Sequence, residues 1–379
     1  MSRIGRAIAA KRLLSPGRKL PVYLLVFVTN RCNAACDHCF YWRELNQKTS
    51  ELTIDEYDRL ASSVGPLLQV TLTGGSPELR KDLPDITNVF VERCAPANIT
   101  FCMLGASTDR ILEQVEAVVS RHPKQRLTVA ISLDGLGEEH DKLRKLPGCF
   151  DRVVATFRGL GVLKRSFPGL RLAVGMTVHG LNYLSVETTA AWVRANLPVD
   201  LLKPILVRGD PINPETLDER CKTSYMRVID QDRCWVSGER AQLLSPMDFL
   251  ISIKEEVQRD LIAEISHTQR ARAVCSGGRE TGVIYPNGDV LGCELREERL
   301  GNLRDCNMDL SRVWLNDSAD SFRATAGKVA ACAGCYHHCF LSPPIFRSPS
   351  LWPQVVRAAF AVMRRGTPQR AHATEVPVV

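Results

Sequence analysis

Between residues 22 and 207, six short apolar runs alternate with five stretches of helical periodicity, and this alternation restricts the fold more than any other feature of the chain. The runs, at 22–29, 68–73, 99–104, 127–133, 172–178 and 201–207, have strand length and are rich in Val, Ile, Leu and Thr. The intervening stretches, near 53–65, 82–95, 107–121, 150–166 and 184–196, predict helices, and Thr53 followed by Glu56 forms a capping-box pattern opening the first. Strands that alternate with helices build a parallel sheet. Six such units predict an α/β fold, a partial (β/α)6 TIM-like barrel, whose sites collect at the C-terminal ends of the strands.

At 379 residues the chain is long enough for two domains. No apolar run is long enough to span a bilayer, and the basic N-terminus lacks the apolar core of a signal peptide. Fourteen cysteines in such a chain point to metal ligation rather than disulfides, and to a cytoplasmic protein. The net charge of +7 is unevenly placed: residues 1–20 carry +6 and residues 346–379 carry +4, so residues 21–345 carry −3. A slightly acidic body argues against nucleic acid as a partner. Peripheral contact with a membrane through the basic ends is the sharper reading of the termini, and packing or solvation the plainer one.

Cys32, Cys36 and Cys39 stand at C-x3-C-x2-C spacing on the loop leaving the first predicted strand. Thiolates ligate soft metals and iron–sulfur clusters, and one loop of this kind can grip three corners of a four-iron cube. The fourth iron is then open to a small molecule. The alternative is zinc, which wants four ligands, with His38 the other candidate. After the second strand come Gly74, Gly75, Ser76 and Glu78, where paired glycines allow close backbone approach. After the fourth come Ser132, Asp134 and Gly135, then Asp141 and Arg144.

These motifs together resemble the radical S-adenosylmethionine (radical SAM) superfamily. The resemblance implies a [4Fe–4S] cluster on Cys32, Cys36 and Cys39 whose open iron chelates S-adenosyl-L-methionine (SAM). It also implies that the Gly74–Gly75–Ser76 loop meets the amino group of the methionine moiety. Ser132 is associated with the ribose, Arg144 with the carboxylate, and Asp134 and Asn182 with the same pocket. The family usually has Glu where this chain has Ser76, so one charged acceptor is missing, and Glu78 is the nearest candidate to replace it. Lys203, Arg208 and Asp210, at the end of the sixth strand, are candidate substrate contacts or turn residues.

A second cysteine group follows a helical linker at 215–265. Cys275 and Cys293 flank a Pro286–Asn287–Gly288 hairpin signal, which brings them together, and Cys332, Cys335 and Cys339 supply three more thiols. This set resembles the C-terminal auxiliary-cluster extensions of radical SAM enzymes, SPASM and its shorter twitch form. Five thiols suffice for one further iron–sulfur cluster, expected as [4Fe–4S], with Cys275, Cys293, Cys332 and Cys335 as ligands and Cys339 as the alternative fourth; a zinc ribbon is the rival. The remaining cysteines, Cys94, Cys102, Cys149, Cys221, Cys234 and Cys306, read as buried structural residues.

The expected organisation is a basic segment at 1–20, a radical SAM partial barrel at 21–214, the linker at 215–265, a cysteine-rich cluster-binding domain at 266–345, and a basic amphipathic tail at 346–379. The resemblance implies an enzyme that makes a 5′-deoxyadenosyl radical and abstracts hydrogen from a substrate carbon, fed by a flavodoxin- or ferredoxin-type electron donor. The first strand starts too early for a fused leader-peptide-binding domain, which tilts the expected substrate toward a sugar, lipid or other small molecule. A maturase acting on a ribosomal peptide is the alternative. A non-catalytic redox carrier or sensor is the alternative of another class. No catalytic side chain is singled out by sequence.

Overall fold

The computed structural model describes residues 3–15, 19–239, 246–270 and 274–364. Strands β1 (Tyr23–Thr29), β2 (Gln69–Gly74), β3 (Asn98–Met103), β4 (Leu127–Ser132), β5 (Leu170–Val178) and β6 (Leu201–Leu206) form an all-parallel run in chain order. Helices α1 (Arg3–Leu14), α2 (Ile54–Val64), α3 (Leu83–Cys94), α4 (Thr108–Arg121), α5 (Glu138–Arg144), α6 (Cys149–Ser166) and α7 (Val186–Asn196) precede or connect them. The capping box at α2 forms as the sequence predicts, with Thr53 accepting from the Glu56 amide and Glu56 reaching back. The short helix α5 goes beyond the expected elements, although its first turn is acidic and its last turn basic, as a helix dipole favours.

The sheet has two chemically distinct faces. Val70, Leu72, Ile99, Phe101, Val129 and Ile131 are fully buried in the main apolar core. Tyr23, Gln69, Thr71, Asn98, Thr100, Thr128 and Lys203 alternate with them and point to the other face, as strand geometry requires. Hydrogen bonds run across that face from strand to strand: Tyr23 Oη to Thr71 Oγ1 at 3.2 Å, Gln69 Nε2 to Thr100 Oγ1 at 3.0 Å, and Thr128 Oγ1 to Asn98 Oδ1 at 3.2 Å. Polar side chains on a largely buried sheet face need such pairing.

Helices α8 (Cys221–Glu239) and α9 (Pro246–Thr268) lead to the C-terminal region. There β7 (Thr281–Ile284), β8 (Asp289–Leu291) and β9 (Arg299–Asn302) extend the same sheet, giving the order β6-β5-β4-β3-β2-β1-β7-β8-β9. β7 lies parallel to β1, and the β7–β8 hairpin turns at Gly288, whose φ of +88° suits glycine. The C-terminal region is thus joined to the barrel by a continuous hydrogen-bonded edge. Arg304 strengthens the junction by pairing with Glu56 at 2.6 Å and donating to the Ser50 carbonyl.

Short helices α10 (Leu310–Trp314), α11 (Asp317–Thr325), α12 (His338–Leu341) and α13 (Pro344–Arg347) precede the last helix, α14 (Trp352–Arg364). A second apolar core joins α9, α13 and α14 through Ile253, Val257, Leu261, Ile345, Leu351 and Ala358. At the other terminus, Arg12 pins α1 by donating to the carbonyls of Leu20, Pro21, Val64 and Pro66. Among the described residues no helix is long and apolar enough to cross a membrane. Residues 365–379 of the expected basic tail, and the side chains of Arg3, Arg6 and Cys234, lie outside the described residues.

Candidate active site

The loop after β1 is held by its own asparagines. Asn30 Nδ2 donates to the carbonyls of Glu44 and Gln47, and Asn46 makes two hydrogen bonds with the Cys32 backbone. The loop meets the Gly74–Gly75 turn backbone to backbone: the Gly75 amide donates to the Thr29 carbonyl at 2.9 Å, and the Ser76 amide to the Arg31 carbonyl at 2.7 Å. A Cβ on Gly74 would sit 2.2 Å from the Thr29 oxygen, and one on Gly75 would sit 2.2 Å from the Arg31 oxygen. The glycines are therefore required by the approach of the two loops, and the Gly75 and Ser76 amides are already engaged. Ser76 is buried, with its hydroxyl 3.4 Å from the Cys32 sulfur. Gly75→Ala is expected to push the cysteine loop aside and to lower iron uptake by the reconstituted protein; an unchanged iron content would show that the turn can yield.

Asp134 is the centre of the adjoining cluster. Its carboxylate lies 2.5 Å from Arg144 Nη2 and 3.7 Å from His38 Nε2, and it accepts from the Thr177 amide at 2.8 Å. Burial raises its pKa, but Arg144 and the nearby imidazoles of His38, His140 and His179 outweigh this and hold it at about 2. Burial conversely keeps His38 neutral, with a pKa of about 3, and its ring stacks on His179 at 4.7 Å. His38 thus faces Asp134. Arg144, on the last turn of α5, also donates to the Cys36 sulfur at 3.5 Å, so it ties the cysteine loop to the end of β4. Asn182 bridges the carbonyls of Asp134 and Thr177 at 2.9 and 2.8 Å. Ser132 ends β4 on the polar sheet face, opposite Gly175. Glu78 is buried with one carboxylate oxygen on the Gly105 amide at 3.0 Å and the other without a hydrogen bond to any described residue.

The sulfurs share a local geometry that spacing alone does not reveal. The amide two residues ahead donates to the sulfur of Cys32 (from Ala34, 3.4 Å), Cys275 (from Gly277, 3.3 Å) and Cys293 (from Leu295, 3.4 Å). The same relation holds between Cys39 and Tyr41 and between Cys335 and His337. Hydrogen bonds of this kind stabilise thiolates and tune iron–sulfur clusters. Cys275, Cys293, Cys332 and Cys335 interact electrostatically with one another. Cys339 differs: its thiol lies against the His337 ring and the Tyr23 hydroxyl, on the polar face of the sheet. Among the described residues no three His, Cys, Asp or Glu side chains form a single-ion site; a four-iron cube holds its thiolates farther apart than one ion does.

Sequence reasoning missed the group that links the two cysteine sets. Glu294, next to Cys293, accepts from Arg208 Nη2 at 2.8 Å and lies 2.6 Å from His337 Nε2, and Arg208 stacks over Phe40, next to Cys39. Only long-range packing brings these residues together. Arg208 was a candidate substrate contact; here it is engaged by Glu294. Asp210, another candidate, pairs with Arg43 and accepts from Trp42 through its carbonyl. Lys203, the third, stays on the polar sheet face with no ion pair to any described residue.

The family model of the radical SAM superfamily matches residues 26–193, and that of the SPASM iron–sulfur cluster-binding domain matches residues 275–336. Over 335 residues the chain is 31% identical to the Fe-coproporphyrin III synthase of Methanosarcina barkeri, covering 81% of this chain and 79% of that protein. The chain belongs to the radical SAM superfamily. This radical SAM enzyme uses SAM and a [4Fe–4S] cluster, and its SPASM domain carries an auxiliary iron–sulfur cluster. It is also 24% identical to the PqqA peptide cyclase of Bradyrhizobium diazoefficiens, over 83% of this chain and 79% of that one. In fold it is similar to Streptococcus suis SuiB in its SAM-bound crystal structure, with a TM-score of 0.57 at 15% identity, over 92% of this chain and 80% of SuiB.

Proposed function

We propose that this radical SAM enzyme abstracts hydrogen from a carbon of a small, carboxylate-bearing biosynthetic intermediate bound on the polar face of the sheet, between two cysteine-held clusters. The observation that carries the substrate class is Lys203, a cation on that face that pairs with no described residue and lies within electrostatic reach of Lys254 on α9. Lys203, with no ion pair to any described residue, and a second cation beside it suit an anionic ligand. The relatives named for porphyrin or haem synthesis, at 31% and 27% identity, support the same reading over the PqqA cyclase at 24%.

In this reading Cys32, Cys36 and Cys39 hold the first cluster, within the barrel at 21–214. The loops bearing Gly74, Gly75, Ser76, Ser132, Asp134, Arg144 and Asn182 enclose SAM. Cluster and SAM together supply a 5′-deoxyadenosyl radical when bound. The chain's own residues position the reactants and exclude water. Arg144, clamped between Asp134 and Cys36, keeps the cysteine loop in register with the SAM pocket. Glu78, the candidate to replace the missing acceptor at Ser76, has one oxygen on the Gly105 amide and the other without a hydrogen bond to any described residue.

The auxiliary cluster, one [4Fe–4S], takes Cys275, Cys293, Cys332 and Cys335 as ligands, within a domain at 266–345. Cys339 is left out: its sulfur faces Tyr23, and it lies past the end of the matched SPASM residues. Cys339→Ala is expected to leave iron content within about a tenth of the wild-type value, whereas Cys335→Ala lowers it. Equal losses in both variants would return Cys339 to the ligand set. The enzyme works in the cytoplasm with a flavodoxin- or ferredoxin-type donor.

A peptide substrate is the second reading. It is favoured by the PqqA peptide cyclase among the relatives and by the fold shared with SuiB, which has been crystallised with its precursor peptide SuiA. An extract of cells grown in heavy water, split into small-molecule and peptide fractions, separates the two. Deuterium transferred to 5′-deoxyadenosine from the small-molecule fraction supports the first reading. Transfer from the peptide fraction alone supports the second, and SAM cleavage with no transfer from either contradicts both.

A further inference from the structure

We infer that α14 is a membrane-docking surface that seats the enzyme on an anionic lipid bilayer. The helix is apolar on two sides. One side, with Val355, Ala358, Ala359 and Val362, packs against the core shared with α9 and α13. The other carries Trp352, Val356, Phe360 and Met363 at spacings of four, four and three residues, which places them on one face. Their fractional exposures are 55, 53, 56 and 55%. A helix packed on a globular body normally turns a polar face to water. Four large apolar side chains in one row, over about 17 Å of helix, mark an interaction surface.

Charge selects the occupant. The helix contains no acidic residue. Arg357, exposed on the next turn from Phe360, makes no ion pair with any described residue, and the sequence adds Arg364, Arg365 and Arg370. The other terminus repeats the composition: α1 also lacks acids and exposes Ile8 (44%) and Leu14 (60%) around an exposed Lys11. Both helices attach at the end of the sheet where β1 begins. Lys19, five residues after α1, lies within electrostatic reach of Glu280, and Arg347, five residues before α14, pairs with that carboxylate at 3.2 Å; the Glu280 carbonyl meanwhile accepts from the amides of Val22 and Tyr23. The cysteine loop leaves the opposite end of β1, so docking here leaves the SAM pocket open. A second copy of the chain is a poor fit, because a self-paired α14 brings Arg357 toward its own counterpart. Four side chains also fall short of the roughly 1,200–2,000 Å2 that stable interfaces bury. Apolar insertion with basic flanks is the interfacial-helix chemistry of an anionic bilayer.

Sedimentation of the iron-loaded full chain with sonicated vesicles tests this. Vesicles of phosphatidylglycerol and phosphatidylcholine are expected to pellet the protein at low ionic strength, pure phosphatidylcholine vesicles are not, and added salt weakens the binding. Trp352→Ser with Phe360→Ser is expected to lower the partition coefficient by about tenfold or more, with iron content and SAM cleavage unchanged as a check on folding. Absence of binding to the anionic vesicles, or undiminished binding by the double variant, overturns the inference. So does a dimer, seen by light scattering, that the double variant dissolves.

Discussion

Replacing Cys32, Cys36 and Cys39 together with Ala is expected to abolish formation of 5′-deoxyadenosine and to leave about half of the iron in place. The three thiols lie on one loop, and two of them receive an amide hydrogen bond from the residue two ahead. The third, Cys36, receives Arg144 instead. Nothing else on the loop offers a thiolate, and the nearest imidazole, His38, is turned toward Asp134. The fold should survive, because the loop's anchors are Asn30, Asn46 and the Gly74–Gly75 backbone rather than the sulfurs. Iron analysis alongside chromatography of the nucleoside checks both halves. SAM cleavage at the wild-type rate by the triple variant would remove the cluster from this loop.

Replacing Cys275 and Cys293 with Ala is expected to remove the other half of the iron, about four of about eight atoms for two four-iron cubes. The melting temperature is expected to fall by at least about 5 °C. These two residues flank the β7–β8 hairpin, and β7 is hydrogen-bonded along β1. Loss of the cluster therefore loosens a strand edge shared with the barrel as well as the C-terminal region itself. The first cluster should still cleave SAM, more slowly and without productive turnover. Zinc in place of the missing iron in wild-type protein, with iron near four per chain, would instead indicate a zinc-stabilised scaffold.

The barrel was legible because strand and helix periodicities differ and because each run was bounded by turn or cap residues. All six predicted strands lie within two residues of β1–β6, and the Thr53–Glu56 pattern closes as a capping box. What stayed hidden depends on distant pairing. The alignment of β7 on β1 brings together residues some 260 positions apart, so the continuity of the sheet left no local trace. Gly74 and Gly75 read as a turn that approaches a ligand, and only the fold shows that the Thr29 and Arg31 carbonyls fill the space their Cβ atoms would take. The role of Arg208 emerged only once Glu294 and His337 lay beside it. Spacing offered Cys335 as the fourth ligand and Cys339 as its alternative, and the contacts of Cys339 with the His337 ring and the Tyr23 hydroxyl depend on packing that spacing does not show.

The most direct test is anaerobic incubation of the reconstituted wild-type enzyme with SAM and dithionite. The two-cluster reading predicts 5′-deoxyadenosine and methionine in equal amounts, from protein holding about eight irons per chain. Fully iron-loaded protein that forms neither product would contradict it.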